Sequence, residues 1–245
     1  MKTTYEYLAI ENRDGCMHIT LARAEKANAL TVGMMEGATS ALEAAAADDS
    51  IRAVLLTGAG EKVFCAGADV REQPADGDMQ AHRRRRGAAL FALLNAILDA
   101  PKPVIAVLNG IASGGGAMLA LVADARVAVD AAEISLPEIN LGMPTFPGIA
   151  IATHVGGLAL ATDLVQTGRR MPAAEAIARG LLAGAVPRAE LDAEAKRIAA
   201  IFTAKDTRAF AANKRWLNRS LKAALAEARV GMDEHRKASA ERSAK

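Results

Sequence analysis

KPVIAVLNGIASGGGAML, residues 102–119, runs an apolar strand pattern, PVIAVLNG, into three consecutive glycines and on into a helix pattern, AMLALVAD. No charged or nucleophilic side chain stands beside the glycines except Ser113. A second, shorter version lies upstream, where AVLLTGAG at 53–60 reads as a buried strand and CAGAD at 65–69 as a glycine turn. Unpaired N–H groups at such turns, and the positive end of a helix that starts there, can stabilise an oxygen that becomes negative during a reaction. Glycine lets a carbonyl approach because it has no β-carbon. The same residues equally suit close strand–helix packing, and spacing alone does not separate the two uses.

Outward from this segment the chain alternates strand and helix. Strands are expected near 4–11 and 16–22, joined by Asp14-Gly15. A helix capped by Thr31 runs to about Ala47, and another covers 79–100 with Leu90, Leu93, Leu94, Ile97 and Leu98 inward, stopped by Pro101 and Pro103. ARVAVD at 125–130 reads as a strand. This alternation is the mark of an α/β architecture. Beyond about residue 190 the pattern is helical only, with Leu191, Ile198, Ile201, Phe202, Phe210, Trp216, Leu217 and Leu221 as its apolar positions. Residues 1–190 are therefore read as the core and 191–245 as a helical segment.

Composition narrows the function classes. The 245 residues are 51% hydrophobic and 24% charged, enough apolar side chain for a sizeable core. Thirty basic residues against 28 acidic ones leave a charge of +2, and aromatics are 3%. Neither value points to nucleic acid. Residues 103–123 and 139–162 lack Asp, Glu, Lys and Arg, but Gly114–Gly116 interrupt the first and Pro144, Pro147 and Gly148 the second, so no membrane span is expected. The N-terminus lacks an apolar signal core, and Cys16 and Cys65 show no metal-ligand spacing, so the cytoplasm is the expected location.

Familiar catalytic patterns are missing. Neither GAGEKVFC nor SGGGAML completes a phosphate-binding loop or a dinucleotide fingerprint, and Ser113 in GIASG has the wrong spacing for a hydrolase elbow. His18, His82, His154 and His235 are scattered, and no metal ligand is expected among them. Arg83 to Arg86 read as a solvated helix face rather than an anion site.

Four pieces, AEKANAL at 24–30, RAVLLTGAGEKVFCAGADV at 52–70, KPVIAVLNGIASGGGAML at 102–119 and LPEINLG at 136–142, together resemble the crotonase superfamily of enoyl-CoA hydratases and isomerases. TGRRMPAAEAIARGLL at 167–182 is similar to the family segment after the active site, so the likeness spans nearly the whole chain. It implies a spiral of ββα units followed by helices that build a trimer, or a hexamer of paired trimers. It also implies an acyl-CoA thioester as substrate, its oxygen held by the N–H groups of Ala68 and Gly115. Coenzyme A is then part of the substrate, with no separate cofactor and no metal. The same resemblance places substrate or CoA contacts at Ala27, Ala66, Gly67, Asp69, Val70, Arg71 and Gly114, with Lys26 and Lys214 as further phosphate contacts.

The chain departs from the family pattern in two places. Family hydratases have two glutamates; here the later one is Glu138 and the earlier position is Met118. Hydration divides water activation and proton delivery between two acid–base groups, whereas moving a double bond from C3 to C2 needs one group that takes a proton and returns it. The apolar setting of LPEINLG raises a carboxyl pKa by desolvation. A 3-enoyl-CoA to 2-enoyl-CoA isomerase with Glu138 as the acid–base group is the expected activity, with Met118 lining the acyl pocket. The alternatives are a hydratase, decarboxylase or thioester hydrolase of the same family, or an acyl-CoA-binding protein with little catalysis. The second departure is LGMPTFPG, which places four residues between LG and PG where many hydratases have two.

Overall fold

The structure is a computed structural model that describes residues 5–74 and 77–243. Residue 4 of the expected first strand, and the outer ends of the two expected segments, lie outside these residues. Strand β1 (Leu8–Arg13) starts later than the sequence suggests, because Tyr7 adopts φ +60° in the turn before it. Asp14 and Gly15, both at positive φ, then close a tight hairpin to β2 (Cys16–Leu21). Thr31 caps α1 (Val32–Ala47) as expected, its Oγ1 accepting from the N–H of Met34 at 3.1 Å.

Three ββα units follow in order. The first is β3 (Ala53–Gly58), β4 (Val63–Cys65) and α2 (Met79–Asp99). The second is β5 (Val104–Leu108), β6 (Ile111–Ser113) and α3 (Gly115–Val122). The third is β7 (Ala125–Val129), β8 (Glu133–Ser135), a 3₁₀ turn (Pro137–Leu141) and α4 (Phe146–Thr167). The first strand of each unit enters one sheet and the second enters another. The larger sheet runs β1-β2-β3-β5-β7-β10, with β10 at Gly184–Val186, and is parallel except for the first hairpin. The smaller runs β4-β6-β8-β9, with β9 (Arg170–Pro172) antiparallel to β8.

The larger sheet is covered on both faces, which explains the unbroken apolar run of β5, buried at every position. Leu93, Leu94, Ile97 and Leu98 of α2 pack inward as the sequence pattern indicates. Helix α4 is long and apolar enough to cross a membrane by length and composition alone. In this fold it is kinked at Gly157 and buries Ile151, Ala152, Leu160 and Leu164 in the core. After α5 (Ala173–Ala178), the chain is helical from residue 188: a 3₁₀ turn leads into α6 (Leu191–Thr203), and α7 (Thr207–Ser243) completes it. Helix α6 packs on β3, β5 and β7, and α7 folds back across α2 and α4. Of the expected apolar positions, Leu191, Ile198 and Leu221 are buried, while Ile201, Trp216 and Leu217 remain exposed.

Candidate active site

The parallel strands β4, β6 and β8 are neighbours in the smaller sheet, and their C-terminal ends deliver three segments to one place. Ala66 to Ala68 follow β4, Gly114 and Gly115 follow β6, and the 3₁₀ turn carrying Glu138 follows β8. Together they line a cavity of about 520 Å³, whose other walls come from α2, the segment before α4 and the distal part of α7.

The loop at 24–30 holds the first segment. Ala66 donates its N–H to Ala27 O at 3.0 Å, Leu30 donates to Gly67 O at 2.8 Å, and Asp69 donates to Leu30 O at 2.8 Å. Leu30 thus uses the groups on either side of Ala68, and the Ala68 N–H is left pointing away from it. Asn28, buried at φ +53°, ties this loop to Ala59 O and Val63 O through its amide.

The three glycines have three separate reasons. Gly114 sits at φ +51°, and a β-carbon there would stand 3.1 Å from Glu138 Oε1. Gly115 begins α3, where its N–H has no intrahelical partner, and a β-carbon there would stand 3.4 Å from the Ala68 nitrogen. Gly116 faces β4, and a β-carbon there would come within 2.3 Å of Cys65 O. Close packing accounts for all three, each against a different neighbour. The turns carrying the Ala68 and Gly115 nitrogens thus face each other across the cavity wall, Gly115 at the positive end of the α3 dipole.

Glu138 is largely removed from solvent, and its Oε2 is buried without a hydrogen-bond partner. Burial raises its pKa above the ordinary carboxylate value, while its own backbone N–H and the Thr145 hydroxyl oppose that rise. Met118, 2% exposed, lines the same cavity, so the position of the family's earlier glutamate carries a thioether. The four residues between LG and PG also belong to the site. Met143, Pro144 and Thr145 line the cavity, and the Met143 N–H donates to Glu138 O at 3.0 Å.

With this geometry in place, comparison of the sequence with known families is decisive: residues 11–243 match the family described as enoyl-CoA hydratase/isomerase. The chain belongs to the enoyl-CoA hydratase/isomerase family. A putative enoyl-CoA hydratase/isomerase of Bacillus subtilis is 37% identical over 210 residues, 85% of this chain and 80% of that one. A probable enoyl-CoA hydratase of Mycobacterium tuberculosis is 36% identical over 225 residues, 91% of this chain and 86% of that one. The crystal structure of an enoyl-CoA hydratase from Bacillus anthracis superposes with a TM-score of 0.81 at 30% identity, covering 94% of this chain and 92% of the other. The crotonase fold is thus established along with the family.

Within this hydratase/isomerase, the cavity gathers Ala66, Gly67, Ala68, Val70, Gly114, Gly115, Met118 and Glu138. Other expected contacts fall outside its lining. Ala27 supports it from behind through Ala66, and Lys26 and Arg71 are exposed at the surface. Asp69 is committed to Arg23 Nη1 at 2.7 Å and to the N–H of Arg71 at 2.9 Å. Lys214 requires a correction. Its side chain is 3% exposed and its Nζ bonds Asp124 Oδ2 at 2.6 Å, so it is a structural ion pair and not a phosphate contact. Burial pushes Asp124 up and Lys214 down in pKa, each partly offset by the other.

The arginine run also differs from expectation. Arg85 pairs with Glu36 on the surface, but Arg83 and Arg86 line the cavity, as do Met232, His235 and Arg236 of α7. The spacing of Arg83, Arg86, Gly87 and Leu90 is helical and could have placed them on one face of α2. No local signal connects that face to α7.

Proposed function

We propose that this family member moves the double bond of a 3-enoyl-CoA to the 2-position, with Glu138 as the single acid–base group. Among the described residues lining the cavity, Glu138 is the one carboxylate, and this observation carries the reading. The thioester oxygen would accept from the N–H groups of Ala68 and Gly115. The Glu138 carboxylate takes a proton from C2, and the resulting dienolate has its charge on that oxygen, where the two donors stabilise it. Glu138, now protonated, returns the proton at C4, and the double bond ends between C2 and C3. A raised pKa suits both halves of this cycle, because the acid form must be a useful donor near neutral pH. Met118 contributes apolar surface and excludes water from the reacting carbons. No cofactor is needed beyond the coenzyme A of the substrate.

A second reading, hydration of a 2-enoyl-CoA, is favoured by the names of the relatives. It would require a group other than residue 118 to share the acid–base work. Purified protein incubated with a 3-enoyl-CoA separates the two. Appearance of the conjugated 2-enoyl thioester supports isomerisation; hydration of the 2-enoyl-CoA with no conversion of the 3-enoyl-CoA overturns it. We further propose a soluble cytoplasmic trimer, or a hexamer of two trimers. Support comes from the apolar side chains left exposed on α4 and α7, among them Leu158, Trp216 and Leu217.

A further inference from the structure

Helix α2 lays a graded stripe along the cavity, apolar at its inner end and basic at its outer end. At the inner end, Leu90 Cδ1 is 3.7 Å from where a β-carbon of Gly115 would lie, beside the two N–H donors. One turn back is Gly87, across which Arg236 of α7 lies, its Nη2 3.0 Å from the position a β-carbon would take there. Arg86 and Arg83 follow, roughly 6 and 10 Å from Leu90 along the helix axis at 1.5 Å per residue. Three guanidiniums thus meet in one mouth of the cavity.

Among the described residues their partners are few. Arg86 Nη1 donates to the backbone carbonyl of Asp69 at 3.0 Å. Arg236 Nη1 is 3.3 Å from Asp233 Oδ1 in an exposed pair on its own helix, a contact of little strength. Glu72, the other carboxylate with a field at Arg86, already accepts from the Val32 N–H and lies 3.3 Å from His82 Nε2. Burial disfavours the Arg86 cation, and Arg83 and Arg236 add like-charge repulsion, with Glu72 and Asp69 opposing. An anion bound between the guanidiniums would relieve this repulsion and gain charge-assisted hydrogen bonds.

We propose that the acyl group taken by this enzyme ends in a carboxylate, which Arg83, Arg86 and Arg236 bind. The proposal rests on the acyl-CoA reading of the site and names its substrate class. A thioester held at Ala68 and Gly115 places C2 to C4 at Glu138, and the acyl chain has Met118, Leu90 and Met232 as apolar walls. Gly87 has no side chain, and the Arg236 guanidinium fills the space beside it, so an acyl chain running along α2 meets this arginine there. The separation of the arginines from Leu90 suits the end of a short acyl chain. The phosphates of coenzyme A are anions too, but the long pantetheine arm separates them from the thioester.

The test uses calorimetric binding of two saturated six-carbon thioesters, adipoyl-CoA and hexanoyl-CoA, to the full-length protein. Without a cationic subsite, burying the extra carboxylate would favour hexanoyl-CoA. The expected result is adipoyl-CoA tighter by about tenfold or more, a preference that falls towards one in Arg83→Gln and Arg236→Gln. Equal affinities, or tighter hexanoyl-CoA, in the wild type would overturn the proposal without depending on whether any variant folds. So would a loss of affinity in the variants that is equal for both thioesters and disappears with the matching pantetheine thioesters, because the arginines would then hold phosphate. Since neither probe reacts, failure to isomerise a 3-enoyl-CoA sinks the isomerase reading separately and leaves this measurement intact.

Discussion

Glu138 is where one residue's environment sets both chemistry and cost. Its Oε2 is buried with no partner, so the ionised form is held in the fold against a desolvation penalty. Glu138→Gln keeps nearly the same shape and removes that charge. We expect it to retain acyl-CoA binding and lose turnover by at least about 10², with a higher melting temperature than the wild type at neutral and alkaline pH. The sign follows from linkage: a carboxyl whose folded pKa is raised makes the protein less stable as pH climbs from the ordinary value of 4.5 through the folded pKa. The gain from Gln should therefore vanish below pH 4.5, as scanning calorimetry across pH would show. In the wild type, kcat/KM should fall on the acid side with a midpoint above the ordinary carboxylate value, since the deprotonated form starts the cycle. By contrast the Cys65 thiol, fully buried and pushed up to about 12, is part of the packing under Gly116 and has no reactivity at neutral pH.

The elements that position the site are among the shortest in the fold. Strands β4, β6 and β8 are three residues each, too short to show a hydrophobic period, and each follows a longer buried strand that dominates the pattern. Periodicity therefore marks β3, β5 and β7 and is silent on the second sheet, although that sheet aligns the three site segments. Its presence is inferred from the family motifs, not from periodicity. Lys214 shows the opposite error, a charged residue assigned to ligand binding that the fold uses internally. It joins α7 to Asp124, which also accepts the Val104 N–H at 2.8 Å. Lys214→Ala should lower stability by roughly 3–5 kcal/mol, because it leaves Asp124 buried and uncompensated. Its affinity for coenzyme A thioesters should stay at the wild-type value. Denaturant unfolding and calorimetric binding together check this; weakened binding with unchanged stability would return Lys214 to the phosphate site.

On the scale of the whole molecule, α7 is decisive, because it brings residues more than ninety positions from Glu138 onto the same cavity. It buries Leu221 and Leu225 against the core yet leaves Trp216 and Leu217 about two-thirds exposed. Apolar surface of this kind is costly in water unless a second surface covers it. Sedimentation should find the protein as a trimer or hexamer, and the double substitution of Trp216 and Leu217 by Glu should shift it towards monomer. A monomeric wild type would refute the assembly. The amino-acid sequence by itself determined the α/β class, through its alternation of strand and helix, and placed Glu138 and Met118 in contiguous motifs that resemble those of the family. The donor role of Ala68 and Gly115 is implied by that resemblance, since spacing alone leaves close packing as an equal use of the glycines. The basic mouth of the cavity, the commitment of Lys214 to Asp124 and the return of α7 over the site were decided only by the tertiary structure. Those features depend on which distant surfaces meet, and a helix face carries the same residue spacing whether it turns to solvent or to a substrate.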